Sequence, residues 1–200
     1  MREENKIHAF VAKKIKLLES NSPWSRGMLA KLRRSVGKAP GSVPDIWEIT
    51  LGETQEEWHR RDGAPSYAEI AIHTALTLYA THQQGKDSPM NVCGKDERGN
   101  DTGNSFGAAA GRLIRSDRSN EQSVKRRFDA AATATDFAEL AHHARGLIQL
   151  LRTADIPINY PRFAHDLYQY QFQEGADAIR LRWGQDFYRI QDKNVTVNQK

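Results

Sequence analysis

From Ile70 to Gly85 the chain reads I-A-I-H-T-A-L-T-L-Y-A-T-H-Q-Q-G, a run without one charged side chain in a protein whose residues are 27% charged. Ser66 and Glu69 precede it at the spacing of a capping box, in which each side chain satisfies the other residue's free backbone N–H, and Gly85 supplies a stop. Apolar residues fall on every side of such a helix, so it is stable only when other elements surround it. It is too short for a bilayer, which takes about 20 apolar residues. The sequence therefore calls for a buried central helix with others assembled around it.

The other helices are legible from their apolar spacing. Ile7, Phe10, Val11, Ile15 and Leu18 mark the first, with Lys6, Lys13 and Lys16 opposite. Ser22 and Pro23 form a cap and first turn for a second helix carrying Met28, Leu29, Leu32 and Val36, which Gly37 closes. Pro40, Gly41 and Pro44 make a linker, and residues 45–63, with Trp47 and Trp58, read as one or two brief helices. Further on come Phe106, Ala109 and Leu113; then Val124, Phe128 and Ala131 behind a cap at Ser119 or Asn120; then Leu140, Ala144, Leu147, Ile148 and Leu151 behind Asp136. Tyr160-Pro161 opens a helix with Phe163 and Leu167, and Ile179, Trp183 and Ile190 mark the last. Gly103, Gly107 and Gly111 recur every four residues and permit very close helix packing. No stretch alternates at period two, so the fold class is all-α: two small antiparallel helical bundles packed together. Residues 1–88 form the N-terminal bundle and 104–194 the C-terminal one, with 89–103 a loop and 195–200 a frayed tail.

Composition narrows the chemistry. Charged residues Arg2, Glu3, Glu4 and Lys6 follow Met1 directly, which is no secretory signal, and a soluble, cytoplasmic protein is expected, with no membrane partner. A lone cysteine, Cys93, excludes an internal disulfide and a Cys-x-x-Cys zinc site. Glu139-x-x-His142 has the spacing used by carboxylate-bridged metal bundles, but those need a second copy and further glutamates. His142 and His143 read as solvent-facing, His165 beside Asp166 as a core-edge histidine, and His73 and His82 as buried neutral imidazoles with a hydrogen-bond partner. The stretch Gly99 to Gly111 lacks the Gly-Lys-Ser/Thr end of a phosphate loop. No catalytic residue, no metal and no cofactor is expected.

Charge is unevenly spread: +7 over residues 1–40, −6 over 41–104 and +3 over 105–200. Basic residues recur on separate helices, six of them within 112–127 alone. Phosphate backbones need such distributed charge, which arginine meets with paired hydrogen bonds and counterion release. Helices that turn their cationic sides to a common groove could follow a sugar-phosphate chain. A plain solvated face is the simpler alternative. Gly27, inside the arginine helix, costs about 1 kcal/mol against alanine and so suggests a close approach, by a packed helix or by a phosphate backbone.

Read together, several motifs resemble the CasB family, the small subunit of the type I-E CRISPR Cascade surveillance complex. They are R26-G-M-L-A-K-L-R-R-S-V-G37, A75-L-T-L-Y-A-T-H-Q-Q-G85, S105-F-G-A-A-A-G-R-L113, V124-K-R-R-F128, I158-N-Y-P-R-F-A-H-D-L167 and W183-G-Q-D-F-Y188. Loop 86–103 and the tail after Asn194 carry no part of the likeness. The resemblance implies an all-helical protein that is no enzyme and pairs head-to-tail with a second copy of itself among other Cascade subunits. It would support the duplex of guide RNA and target DNA and hold the displaced DNA strand, while a recruited nuclease-helicase cleaves. Charge and helix face nominate Arg26, Arg33, Arg34, Arg112, Arg115, Lys125, Arg126, Arg127 and Arg145 as nucleic-acid contacts, with Arg126 or Arg127 alternatively pairing with Asp129. The competing readings are a helical module that binds acidic protein partners and, more remotely, a metal enzyme using His142 or His165.

Overall fold

The computed structural model describes residues 3–94, 104–116 and 118–192, without the side chains of 3–4, 115–116, 118 and 191–192. Gly103, most of the expected loop 89–103 and the tail 195–200 lie outside the described residues. The helices are α1 (Glu3–Leu18), α2 (Pro23–Arg34), α3 (Trp47–Thr50), α4 (Tyr67–His82), α5 (Phe106–Ser116), α6 (Glu121–Ala132), α7 (Phe137–Thr153), α8 (Tyr160–Gln169) and α9 (Gln173–Asp192). The fold is all-α, and no described helix is long and apolar enough to cross a membrane.

The starts of these helices follow from capping chemistry. Ser22 Oγ accepts the Ser25 N–H at 3.1 Å, and Ser66 and Glu69 close the full reciprocal box. Asp136 accepts the Glu139 N–H at 2.8 Å, but the Glu139 carboxylate reaches back one residue further, to the Thr135 N–H at 2.7 Å. Asn120 precedes α6 without a side-chain cap bond. Helix α2 stops at Arg34, and Gly37 takes the left-handed conformation (φ 78°) in the turn beyond it.

Helix α4 occupies the centre, packed by α1, α2, α3, α7 and α8. Twelve of its sixteen residues are buried, including His73 and His82, which is why the sequence carries no charge beyond Glu69 in its first turn. A second group forms where α5 lies along α9 and α6 along α7. Helix α8 comes from the C-terminal half but packs on α1 and α4, so one apolar core runs through both groups. An isolated parallel bridge, Asn91 with Ile158, directs α8 there: Val92 N–H donates to Ile158 O at 3.0 Å and Ile158 N–H to Met90 O at 3.2 Å.

A buried carboxylate ties α8 to α9. Asp166 is fully buried and accepts the Trp183 indole N–H at 2.6 Å and a guanidinium N–H of Arg182, with His165 Nδ1 at 3.4 Å. Removing one partner of such a buried pair typically costs about 3–5 kcal/mol. Asp166→Ala is expected to fall in that range by chemical denaturation, because Trp183, itself fully buried, is left with an unsatisfied N–H. Asp166→Asn keeps an acceptor and should lose clearly less.

His82 gives the fold a pH dependence. It is fully buried, its Nδ1 lies 3.0 Å from the Tyr160 hydroxyl, and burial, helped by the charges of Arg152 and Lys86, pulls its pKa down to about 4 against the opposing carbonyls of Leu151 and Ile156. The unfolded chain therefore takes up a proton that the native state refuses between roughly pH 6.5 and 4. The neutral ring's stabilisation is complete above that window and lost as pH falls through it, about 3 kcal/mol in all. His73, lowered by its own burial, acts in the same direction. Urea midpoints measured across this window should fall with acid in the native protein and fall less steeply in His82→Gln.

Candidate nucleic-acid interface

On α2, Ser25, Met28 and Leu32 are buried, which turns Arg26 and Arg33 toward the C-terminal end of α4. There they line a cleft of about 530 Å³ with Lys86, faced by Glu19 and Asp87. Arg26 folds back on the α1–α2 turn, its Nη1 donating to Asn21 O at 2.8 Å. Partial burial, and the neighbouring Arg34, lower the Arg33 pKa, yet an arginine begins so high that it keeps its charge at neutral pH. Lys86 is paired with Asp155 at 2.7 Å, and Glu19 is pushed toward its neutral form chiefly by burial.

On α6, Val124, Phe128 and Ala131 face inward, so the three consecutive basic residues diverge. Lys125 points toward α9, its Nζ 6.0 Å from the Tyr188 ring centre. Arg126 faces solvent. Arg127 lies across α7: a Cβ placed on Gly146 would meet its guanidinium at 3.3 Å. Arg145, one position round the helix, lines a second groove, of about 540 Å³, where the 36–40 turn, α4 and α7 meet, and Arg127 takes no part in that lining. Lys38 and His142 share its lining, and no carboxylate does. Arg112 is exposed on α5, and the Arg115 side chain lies outside the described residues.

Of the candidates, Arg26 and Arg33 share one cleft, while Arg127 lies over α7, Arg145 lines a separate groove and Lys125 is directed toward α9, so they do not meet in one common groove. Gly27 corrects an expectation: no described residue comes within 4 Å of where its Cβ would be, so none of the described helices packs there. The lysines of α1 are partly spent on the acidic segment that folds back over them, Lys6 pairing with Glu57 and Lys13 with Glu53 at 3.0 Å.

Arginines divide into two populations. Arg162 and Arg189 both hold Asp186, which also accepts the Ser105 hydroxyl at 2.5 Å at the start of α5; Arg182 holds Asp166. Arg180 bonds Ala132 O at 2.9 Å, Ala134 O at 3.0 Å and Asp177. By contrast Arg33, Arg34, Arg112, Arg126, Arg127 and Arg145, and Lys125 with them, make no ion pair with any described residue, Asp129 included. Sequence reading missed Lys38 and Lys86; each acquires its place only where distant segments meet.

An all-α protein emerges whose α8 and α9 arginines hold buried or neighbouring carboxylates, while Arg33, Arg34, Arg126, Arg127 and Arg145 of α2, α6 and α7 make no ion pair with a described residue; no three His, Cys, Asp or Glu side chains gather as a metal site among the described residues. Residues 28–188 match the family described as CRISPR-associated protein Cse2, and the chain belongs to that family. It is similar to CasB from Thermobifida fusca, at 28% identity and a TM-score of 0.70, over 92% of this chain and 96% of that one. CasB from Thermus thermophilus shares the fold at 20% identity and a TM-score of 0.63, over 94% and 99% of the two chains. A chain in a structure described as a CRISPR RNA-guided surveillance complex shares it at 16% identity and a TM-score of 0.70, over 96% and 99%. A search of curated proteins gave no match.

Proposed function

We propose that this protein is the non-catalytic small subunit of a CRISPR RNA-guided surveillance complex in the cytoplasm, where it supports the duplex of guide RNA and target DNA and the displaced DNA strand. Other complex subunits and a second copy of itself are its protein partners. The observation that carries this reading, beside family membership, is the set of arginines on α2, α6 and α7 that make no ion pair with any described residue. In such complexes base pairing reads the sequence, so a supporting subunit needs backbone contacts alone. Co-expression with a guide RNA and the candidate partner subunits should bring this chain into a ribonucleoprotein of fixed composition. A chain that purifies alone under those conditions, or with acidic proteins and no RNA, refutes the assignment.

A further inference from the structure

Helix α9 buries one side along α5 and leaves the opposite side uncovered by any described residue. On that outer side Leu181 is 63% exposed and Tyr188, seven positions on, 48%. At Gly184 no described residue comes within 4 Å of where a Cβ would stand, so a hollow opens in the helix surface one turn beyond Leu181. The three positions share one helix face. Charge on this face is sorted by end. Glu174 and Asp177 are exposed in the first turns of α9; Arg189 is exposed in its last turns, where α6 adds Lys125, its Nζ 6.0 Å from the Tyr188 ring centre. Asp177 and Arg189 each have a neighbour within α9, Arg180 and Asp186, whereas Glu174 and Lys125 make no ion pair with any described residue.

A single exposed leucine is ordinary on a protein surface. A protruding leucine one turn from a hollow, on a face acidic at one end and basic at the other, is the pattern of a surface that fits a reversed copy of itself. Turning a second α9 end for end about a two-fold axis midway between positions 181 and 184 sets each Leu181 over the Gly184 of the other chain. The same rotation sets position 177 opposite 188, so Asp177 meets the Lys125 that stands beside the second copy's Tyr188, and Glu174 comes near the second copy's Arg189. Glycine at the crossing lets the helix axes approach toward the near end of the usual range, roughly 8–10 Å. A basic peptide would suit the acidic end alone and an acidic peptide or nucleic-acid strand the basic end alone; an identical face answers both ends, the leucine and the hollow together.

We infer that the free protein pairs with a second copy through this face, α9 crossing α9 antiparallel about a two-fold axis. Such a contact uses one surface twice and closes at two copies, whereas head-to-tail pairing joins unlike surfaces. It is an interface additional to the subunit contacts proposed above, and it needs neither guide RNA nor other subunits.

Sedimentation equilibrium of the full-length protein, purified free of nucleic acid, reads it directly. One helix face is at the small end of specific contacts, so the weight-average mass should climb from one chain toward two between about 5 and 500 µM and stop there. Leu181→Glu, which places a carboxylate in the crossing, and Gly184→Gln, which fills the hollow, should each keep the protein monomeric over that range without lowering its melting temperature. Asp177→Lys and Lys125→Asp should each weaken association about tenfold, and the double variant should recover to within about threefold of native, because both sets face like charges alone and opposite charges together. A native protein that stays monomeric throughout overturns the inference and leaves the place in the ribonucleoprotein standing, since co-expression reads that separately. Association that runs past two copies, or that survives Leu181→Glu and Gly184→Gln, also overturns it. A double variant that associates no better than either single one overturns the antiparallel crossing.

Discussion

Gly107→Ala is expected to destabilise the fold by about 3 kcal/mol, lowering the melting temperature by roughly 6–12 °C. A Cβ on Gly107 would stand 2.2 Å from the carbonyl oxygen of Trp183 and 2.9 Å from its carbonyl carbon and Cα. These are backbone atoms, so no rotamer change relieves the clash; α5 and α9 have to separate. Neither helix is free to move. Trp183 is held by Asp166, Phe106 stacks on Phe163 with ring centres 4.8 Å apart, and Phe128 stacks on Phe187 at 4.4 Å. Gly111, whose Cβ would meet Phe187 O at 2.6 Å, should behave alike with a smaller loss. Gly27→Ala is the control, because no described residue comes within 4 Å of that position, and gaining helix propensity should stabilise by about 0.5–1 kcal/mol. Equal melting temperatures for Gly107→Ala and Gly27→Ala would remove the close α5–α9 contact from the account of the fold.

These two glycines show what sequence conveys and what it does not. The four-residue spacing of Gly107 and Gly111 on an apolar helix signals close packing, and the structure supplies the partner, α9. Gly27 sits in a helix equally ill suited to glycine, yet it faces open space, and nothing local separates the two cases. The charge-free run of α4 was legible because burial on all sides is the one environment that accepts it. The placement of α8 was not, since Phe163, Ala164 and Leu167 could pack against helices of either group; the pairing of Asn91 with Ile158 decides it. Among candidate site residues the limit was the same. Arg182 and Arg127 are the same residue on an amphipathic helix, and only the position of Asp166 makes one structural and leaves the other available. The grooves draw on segments far apart in sequence, so Lys38, just past the end of the arginine helix, gave no local signal.

Reversing Arg33, Arg34, Arg126 and Arg127 to glutamate should weaken binding of mixed-sequence single-stranded DNA or RNA at least about a hundredfold at low salt while leaving the protein folded. Folding is spared because none of the four makes an ion pair with a described residue, whereas the same change at Arg182 would leave the buried Asp166 without its guanidinium. Each phosphate contact on a single strand contributes roughly 0.7 to the slope of log affinity against log salt, so losing all four flattens that slope by about 3. The slope separates contact from general attraction: a residue that merely adds to the field changes affinity at low salt with little change in slope. Splitting the set tells the faces apart, since Arg33 lines the cleft at the end of α4 and Arg127 lies over α7. If strands run along α7, the Arg126 and Arg127 pair carries most of the slope. If they run along α2, the Arg33 and Arg34 pair does. Unchanged affinity in a folded fourfold variant would mean that these cations meet solvent, and the support of a sugar-phosphate chain would have to come from elsewhere on the molecule.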